Sequence, residues 1–190
     1  MAWIRDHGYT IDTTATNTTI TVSTMPTHET DDLILVFLGR DNAAGGAWTC
    51  SDGTNTYTEI ENGLGQDINT ASFYYIATGS SEVVPTGTTG TADELLMYVV
   101  IIADIDTTTP IDTSASQLEI IAYSGTHTLT TPGSTTSNNT LNLYWHVVDG
   151  AGDGREPMQP SGLMALPEML PTTRWVGGYL GWTFQETSGT

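Results

Sequence analysis

Nine residues, Leu95 to Ala103 (LLMYVVIIA), form the longest apolar run of the chain, and the polar stretch DIDTTTPID from Asp104 to Asp112 ends it. Val99, Val100, Ile101 and Ile102 are β-branched, which favours extended backbone over helix. Nine residues is a strand length, far short of the roughly 20 that a membrane helix needs. A second continuous run, LILVFL, spans Leu33 to Leu38. In a two-sheet sandwich each strand alternates, apolar inward and polar outward. These two runs do not alternate, so both of their faces must be covered from water. The cover is expected to be either an arm of this chain or a neighbouring subunit.

The remaining segments read as shorter strands between turns. Thr18 to Val22 (TTITV) alternates as a half-buried strand. Ala47–Cys50 and Tyr57–Ile60 flank SDGTNT, whose Asp52-Gly53 pair signals a hairpin with a loop of two residues or more. Residues 61–69 read as loop, and Ala71 to Thr78 (ASFYYIAT) as a strand. Residues 79–93, rich in Thr and Gly, hold at most a weak strand around Val83–Thr91. Further strands are expected at Leu118–Tyr123, Thr126–Thr130, Leu141–Val148 and Trp175–Phe184, the last bent or bulged at Gly177-Gly178. No segment keeps a helical period. The pattern predicts an all-β fold, an antiparallel β-sandwich or jelly roll with extended arms. Residues 1–16 form an N-terminal arm or edge strand, 17–184 a single sandwich domain, and 185–190 a tail.

At 190 residues the chain can bury a core without disulfides. Thr fills about a fifth of the positions and serves as the strand-compatible residue for solvent faces. Only four residues are basic, all Arg, against 22 acidic ones, for a formal charge of −18. Such a surface repels phosphate backbones and anionic lipid, which argues against nucleic-acid and membrane partners. It suits basic partners, bridging cations and saline surroundings, where screening tames self-repulsion. The start, MAWIRDHGYT, lacks an apolar core of signal-peptide length, so synthesis in a cytoplasm is expected.

Residues 149–173 form a Pro- and Met-rich arm with Pro157, Pro160, Pro167 and Pro171. Four prolines deny it a regular ladder or helix over most of its length. Met158, Leu163, Met164, Leu166, Met169 and Leu170 are too apolar to face water. They make the arm an expected interface, on a neighbouring subunit or on the outer face of its own sheet.

The stretches DDLILVFLGRD (Asp31–Asp41), AWTCSDGTNTYTEI (Ala47–Ile60), ASFYYIATG (Ala71–Gly79), the turn D-x-x-x-P-I-D (Asp106–Asp112) and RWVGGYLGWTF (Arg174–Phe184) follow one another in order. Together they resemble a family of small β-sandwich structural proteins, decoration or tail-associated, of tailed phages and related viruses. The resemblance implies a non-enzymatic virion protein, foremost a capsid decoration or cement protein that binds the major capsid protein and further copies of itself. The alternative is a tail or head fibre module that recognises host-surface glycan. A hydrolase fragment is a third, weaker class.

Candidate chemical sites are few. Asp104, Asp106 and Asp112 could gather around Ca²⁺, although Asp and Thr are also ordinary turn residues. Asp149, Asp153 and Glu156 make a second acidic loop. His7, His28, His127 and His146 lack the spacing of a zinc site, and no G-x-S-x-G elbow is present. No catalytic residue, cofactor or metal is assigned. Cys50 reads as a small buried side chain, or else as an intermolecular bridge or reactive thiol. Trp48, Tyr57, Tyr74 and Tyr75 read as core and cross-strand packing, or else as a sugar-stacking platform.

Overall fold

The computed structural model describes residues 2–41, 46–64, 68–112, 140–149, 164–165 and 176–185. Among them there is no helix, and the protein is an antiparallel β-sandwich. The larger sheet has the order β1-β6-β2-β5-β4, with β3 also paired to β6. Its strands are β1 (Trp3–Thr21), β2 (Leu33–Asp41), β3 (Thr49–Ser51), β4 (Thr58–Leu64), β5 (Ile68–Ile76) and β6 (Thr86–Ala103). The smaller sheet has the order β7-β9-β8, from β7 (Thr140–Asp149), β8 (Met164–Ala165) and β9 (Val176–Gln185).

The two apolar runs lie side by side. Leu33 pairs with Ile102, Val36 with Val99 and Arg40 with Leu95. Because side chains alternate across a strand, each run feeds two separate cores. Ile34, Val36, Leu38, Leu95, Met97, Val99 and Ile101 belong to one. Leu33, Leu35, Phe37, Leu96, Tyr98, Val100 and Ile102 belong to the other.

The second core is closed by the smaller sheet. Val147 on β7 and Leu180 on β9 belong to it, with Leu141, Leu143 and Trp145 packed against it. The approach is close. A Cβ on Gly39 would lie 2.9 Å from Val147 Cγ2, and one on Gly178 would lie 2.7 Å from Trp145 Cη2 and 3.0 Å from Leu96 Cδ1. Gly178 therefore serves close packing. The expected bulge at Gly177-Gly178 is not there, since the β7–β9 register runs unbroken from Thr140↔Gln185 to Asp149↔Val176.

The first core is closed by the larger sheet folding over itself. β1 and β6 are far longer than expected and bend together where their register shifts, between Asp12 and Asn17. The Asp12 carboxylate holds the bend, accepting from Thr14 N–H at 2.9 Å and Asn17 Nδ2 at 2.6 Å, and Ala15 takes a positive φ of 51°. Beyond the bend, Ile20 pairs with Gly87, and Gly87 pairs with Cys50 on β3. This row points inward: Ile20 and Cys50 belong to the first core, and a Cβ on Gly87 would sit 2.6 Å from Leu38 Cδ2. The neighbouring row, Thr19, Thr88 and Thr49, is exposed, as expected of Thr on a solvent face.

Three expectations are thereby corrected. The weak strand around Val83–Thr91 is the first half of β6, continuous with the apolar run. Residues 61–69 are largely strand, since β4 runs to Leu64 and β5 starts at Ile68, joined by pairs such as Asn62↔Ala71. The boundary at residue 16 falls inside β1, an edge strand of 19 residues. The strands expected at Leu118–Tyr123 and Thr126–Thr130, and the tail at 186–190, lie outside the described residues. The Asp52-Gly53 turn forms and is closed by a single Ser51↔Thr56 bridge, while β3 takes its ladder from β6 rather than from β4. Gly53 has φ 87°, and Asp52 Oδ1 accepts from Thr54 N–H at 2.9 Å and Asn55 N–H at 2.6 Å.

Candidate functional site

The chain leaves β1 at Thr21 and must return to the start of β2 at Leu33. The segment between them crosses the end of the larger sheet and is pinned there. Asp31 N–H donates to Ala77 O at 2.9 Å, and Ala77 N–H donates to Asp32 O at 2.8 Å. Thr27 N–H donates to Asp6 Oδ2 at 2.6 Å. On the opposite wall, β6 ends at Ala103 and Asp104 turns away with φ 59°. Asp31 has φ 70°. Between the walls lies a shallow cleft of about 280 Å³ lined by Arg5, Glu29, Thr30, Asp31, Asp32, Asp104 and Ile105.

Arg5 organises the cleft. It falls at the register shift between Ile4 and Asp6 in β1, one residue more than β6 has opposite. Its Nε lies 2.7 Å from Asp32 Oδ2, and one terminal nitrogen lies 3.0 Å from Glu29 Oε2. The Asp32 side chain is only 4% exposed, whereas that of Glu29 is 66% exposed. The first contact therefore fixes Arg5, and the second is a screened surface pair of small worth. Asp32 Oδ2 also accepts from Glu29 N–H at 2.8 Å. The Arg5 guanidinium lies 5.0 Å from the centre of the Trp3 ring, a cation–π distance. Four carboxylates against one guanidinium leave the cleft acidic. With the exposed Trp3 indole packed on Arg5, this end of the sheet can attract a cationic group, or stack a sugar ring and accept from its hydroxyls.

Of the three expected calcium ligands, only Asp104 reaches this cleft. The Asp106 carboxylate holds its own turn, accepting from Thr108 N–H at 2.8 Å and Thr109 Oγ1–H at 3.1 Å. The Thr108 N–H, followed by the Thr109 groups, holds this carboxyl below the usual range. Asp112 is half-buried further along the chain. Among the described residues no group of three or more His, Cys, Asp or Glu is placed to hold a metal ion. The Asp104–Asp106–Asp112 site therefore does not form, because turn hydrogen bonds claim the middle carboxylate. Of the second acidic loop, Asp149 ends β7, and Asp153 and Glu156 lie outside the described residues.

The aromatic residues behave as packing residues. Trp48 and Tyr57 are 1% and 3% exposed, and Tyr57 packs on Tyr75 with ring centres 5.3 Å apart. Tyr74 is half-buried against the second core. Cys50 is buried, and burial together with Asp52 pushes its thiol up to about 12. A thiol so protonated is a poor nucleophile, which removes the reactive alternative. His7 lies on β1 and His146 on β7, His28 is buried in the segment before β2, and His127 lies outside the described residues. In the arm, Met164 begins β8 and pairs with Trp182 of β9. Met158, Leu163, Leu166, Met169 and Leu170 lie outside the described residues.

Comparison with protein-family models, with curated proteins and with solved structures gives no match. Among the described residues no helix is long and apolar enough to cross a membrane. Sequence reasoning missed the Trp3–Arg5–Asp32 arrangement. Its one sequence signal is the charged Arg5 breaking the alternation of Trp3, Ile4, Tyr9 and Ile11.

Proposed function

We propose that this chain is a non-enzymatic structural component of a tailed-virus particle. It decorates the capsid, bound to the lattice of the major capsid protein and to neighbouring copies of itself. One observation carries the reading. The chain itself closes both apolar faces of its central strands, and two of its exposed large hydrophobics, Trp3 at 45% and Tyr9 at 46%, lie on the edge strand β1. A rigid plate with an adhesive margin suits lattice binding, in which a small protein grips a repeating surface by its rim. The charge of −18 adds preference for a basic partner. The Pro- and Met-rich arm, with Met158, Leu163, Met164, Leu166, Met169 and Leu170, is the proposed second contact.

Co-sedimentation with capsids that lack this protein tests the reading. The intact protein pellets with capsids, and Trp3→Ala with Tyr9→Ala weakens that binding while the melting temperature holds. Absence of capsid binding at any salt concentration overturns it.

The cleft favours a second reading, a fibre-type module for host-surface glycan. Trp3 stands against Arg5, and the cleft that Arg5 lines also holds Asp31 and Asp104, so a flat ring and carboxylates of the kind sugars use share this end of the sheet. Retention on a carbohydrate array, abolished by Trp3→Ala, supports this reading over the first.

A further inference from the structure

His28 is 6% exposed and uses both ring nitrogens. Nδ1 lies 2.9 Å from Pro26 O, within its own segment. Nε2 lies 3.1 Å from the backbone nitrogen of Glu82, in the segment between β5 and β6. A backbone N–H can only donate, so Nε2 must accept and carries no proton. The single ring proton therefore sits on Nδ1 and is donated to Pro26 O. This geometry holds a neutral ring and no other.

We infer that His28 is an acid-sensitive clasp: the neutral ring ties the middle of the segment before β2 to Glu82, and its protonation releases that tie. A proton on Nε2 would point at the Glu82 N–H, donor against donor, and a buried cation would need a carboxylate. The charged and titratable groups on the surrounding elements are committed elsewhere. On β1, Asp6 accepts from Thr27 N–H and His7 N–H, and Arg5 pairs with Asp32 and Glu29. In its own segment, Asp31 is exposed and lines the cleft. The Glu82 carboxylate accepts from Thr78 N–H and Thr78 Oγ1–H, both at 2.8 Å. Tyr57, which feels the charge of Glu82, stays neutral, since burial pushes its phenol up.

The clasp bears on the cleft. Residues 24–32 carry Glu29, Thr30, Asp31 and Asp32, which form one wall. The same segment lies against β1, where a Cβ on Gly8 would meet Pro26 Cγ at 3.3 Å. With His28 neutral the wall is fixed from two sides. With His28 protonated the Glu82 tie is lost, while the Asp31–Ala77 and Ala77–Asp32 backbone bonds remain and Asp6 and Arg5 hold the β1 side. That side persists in mild acid. Burial works to raise the Asp6 carboxyl, but the N–H groups of Thr27 and His7 outweigh it and leave it below the usual carboxylate range. Acid thus loosens the wall at His28 while its Asp31–Asp32 end and its β1 side stay anchored. This inference stands apart from the proposed function.

Nuclear magnetic resonance on the intact ¹⁵N-labelled protein tests it, at about pH 7.5 and about pH 5, the range over which histidine changes charge. Ring nitrogen shifts report the tautomer, and amide exchange of Glu82, corrected for its intrinsic pH dependence, reports the clasp. The Nδ1–H tautomer is expected at the higher pH. At the lower pH, Glu82 exchange rises by about tenfold, the effect of one lost buried hydrogen bond. His28→Gln keeps an acceptor that does not titrate, so Glu82 stays protected at both pH values. His7→Gln leaves the acid response in place. An Nε2–H tautomer at the higher pH overturns the inference. So does equal protection of Glu82 at both pH values in the wild type, or an acid response retained in His28→Gln. If His28→Gln does not fold, the wild-type tautomer and exchange decide alone.

Discussion

The two faces of the β2–β6 pair meet the same problem in different ways. On one face the cover is hydrogen-bonded into the sheet it protects. β1 and β6 bend at Asp12–Asn17, and their far halves, with β3, lay Ile20, Gly87 and Cys50 over Leu38. On the other face the cover is a separate sheet. It is held by side-chain packing from Val147, Leu180 and Trp145 and by the Trp145 indole N–H, which donates to Leu38 O at 3.1 Å. Trp145 also packs on Phe37 and Tyr98, with ring centres 6.0 and 5.7 Å away. A cover continuous with its own ladder cannot leave without breaking the central strands. A cover held by side chains can part from them, and local openings of this kind have their own, lower free energies.

The largest expected effect is on the folded-over side. Trp48→Ala removes a side chain that is 1% exposed, and such truncations cost about 3–5 kcal/mol. Against a typical total of about 5–15 kcal/mol, chemical denaturation should show a severe loss across the whole sandwich. A change confined to β3 and its neighbours would mean that this cover is separable too.

Gly87→Val should follow. Its Cβ would collide with Leu38, which is fully buried and cannot swing away, and overpacking of this kind costs about 1–3 kcal/mol. A neutral result in thermal melts would show that the two layers are further apart than the Gly87–Leu38 contact requires.

Alkali offers a third probe of the same side. The Cys50 thiol is raised from 9.0 to about 12. A raised acid gives stability that is full below its unfolded value and fades as pH climbs toward the folded one. Stability should therefore fall between about pH 9 and pH 12, and Cys50→Ala should lessen that fall, leaving the part due to the raised Tyr57 phenol, while lowering the neutral-pH baseline. In the same window, native protein should resist thiol alkylation. Rapid labelling of folded protein would contradict the burial of this face.

The smallest effect belongs to the second cover. Trp145→Phe keeps one aromatic ring and loses the hydrogen bond to Leu38 O, a change of about 1 kcal/mol, together with the indole edge that packs on Gly178. Amide exchange should rise along β7 and β9 and stay unchanged in β2 and β6.

How much of this the sequence reveals depends on which layer a residue serves. β2, β5, the second half of β6, β7 and β9 are legible because their side chains fill cores. The first half of β6 is not. Thr86 to Thr91 alternates Thr and Gly, and its inward Gly87 is small because Leu38 occupies the space above it. β1 is hidden by the polar stretch Asp12 to Asn17, where its register shifts, yet the strand continues beyond it. The need for cover on both apolar faces was legible, and the identity of the covers was not, since each depends on contacts far apart in sequence. The cleft stayed hidden for a related reason, because Arg5 meets Asp32 only after the segment before β2 crosses the sheet end.

Native-state hydrogen exchange across a denaturant series tests the unequal covers most directly. Amides of β7 and β9 should open with a lower free energy and a smaller denaturant dependence than those of β2 and β6. The far halves of β1 and β6 should exchange with the central strands. If β7 and β9 open only with global unfolding, at the same free energy as β2 and β6, the distinction between the two covers is wrong.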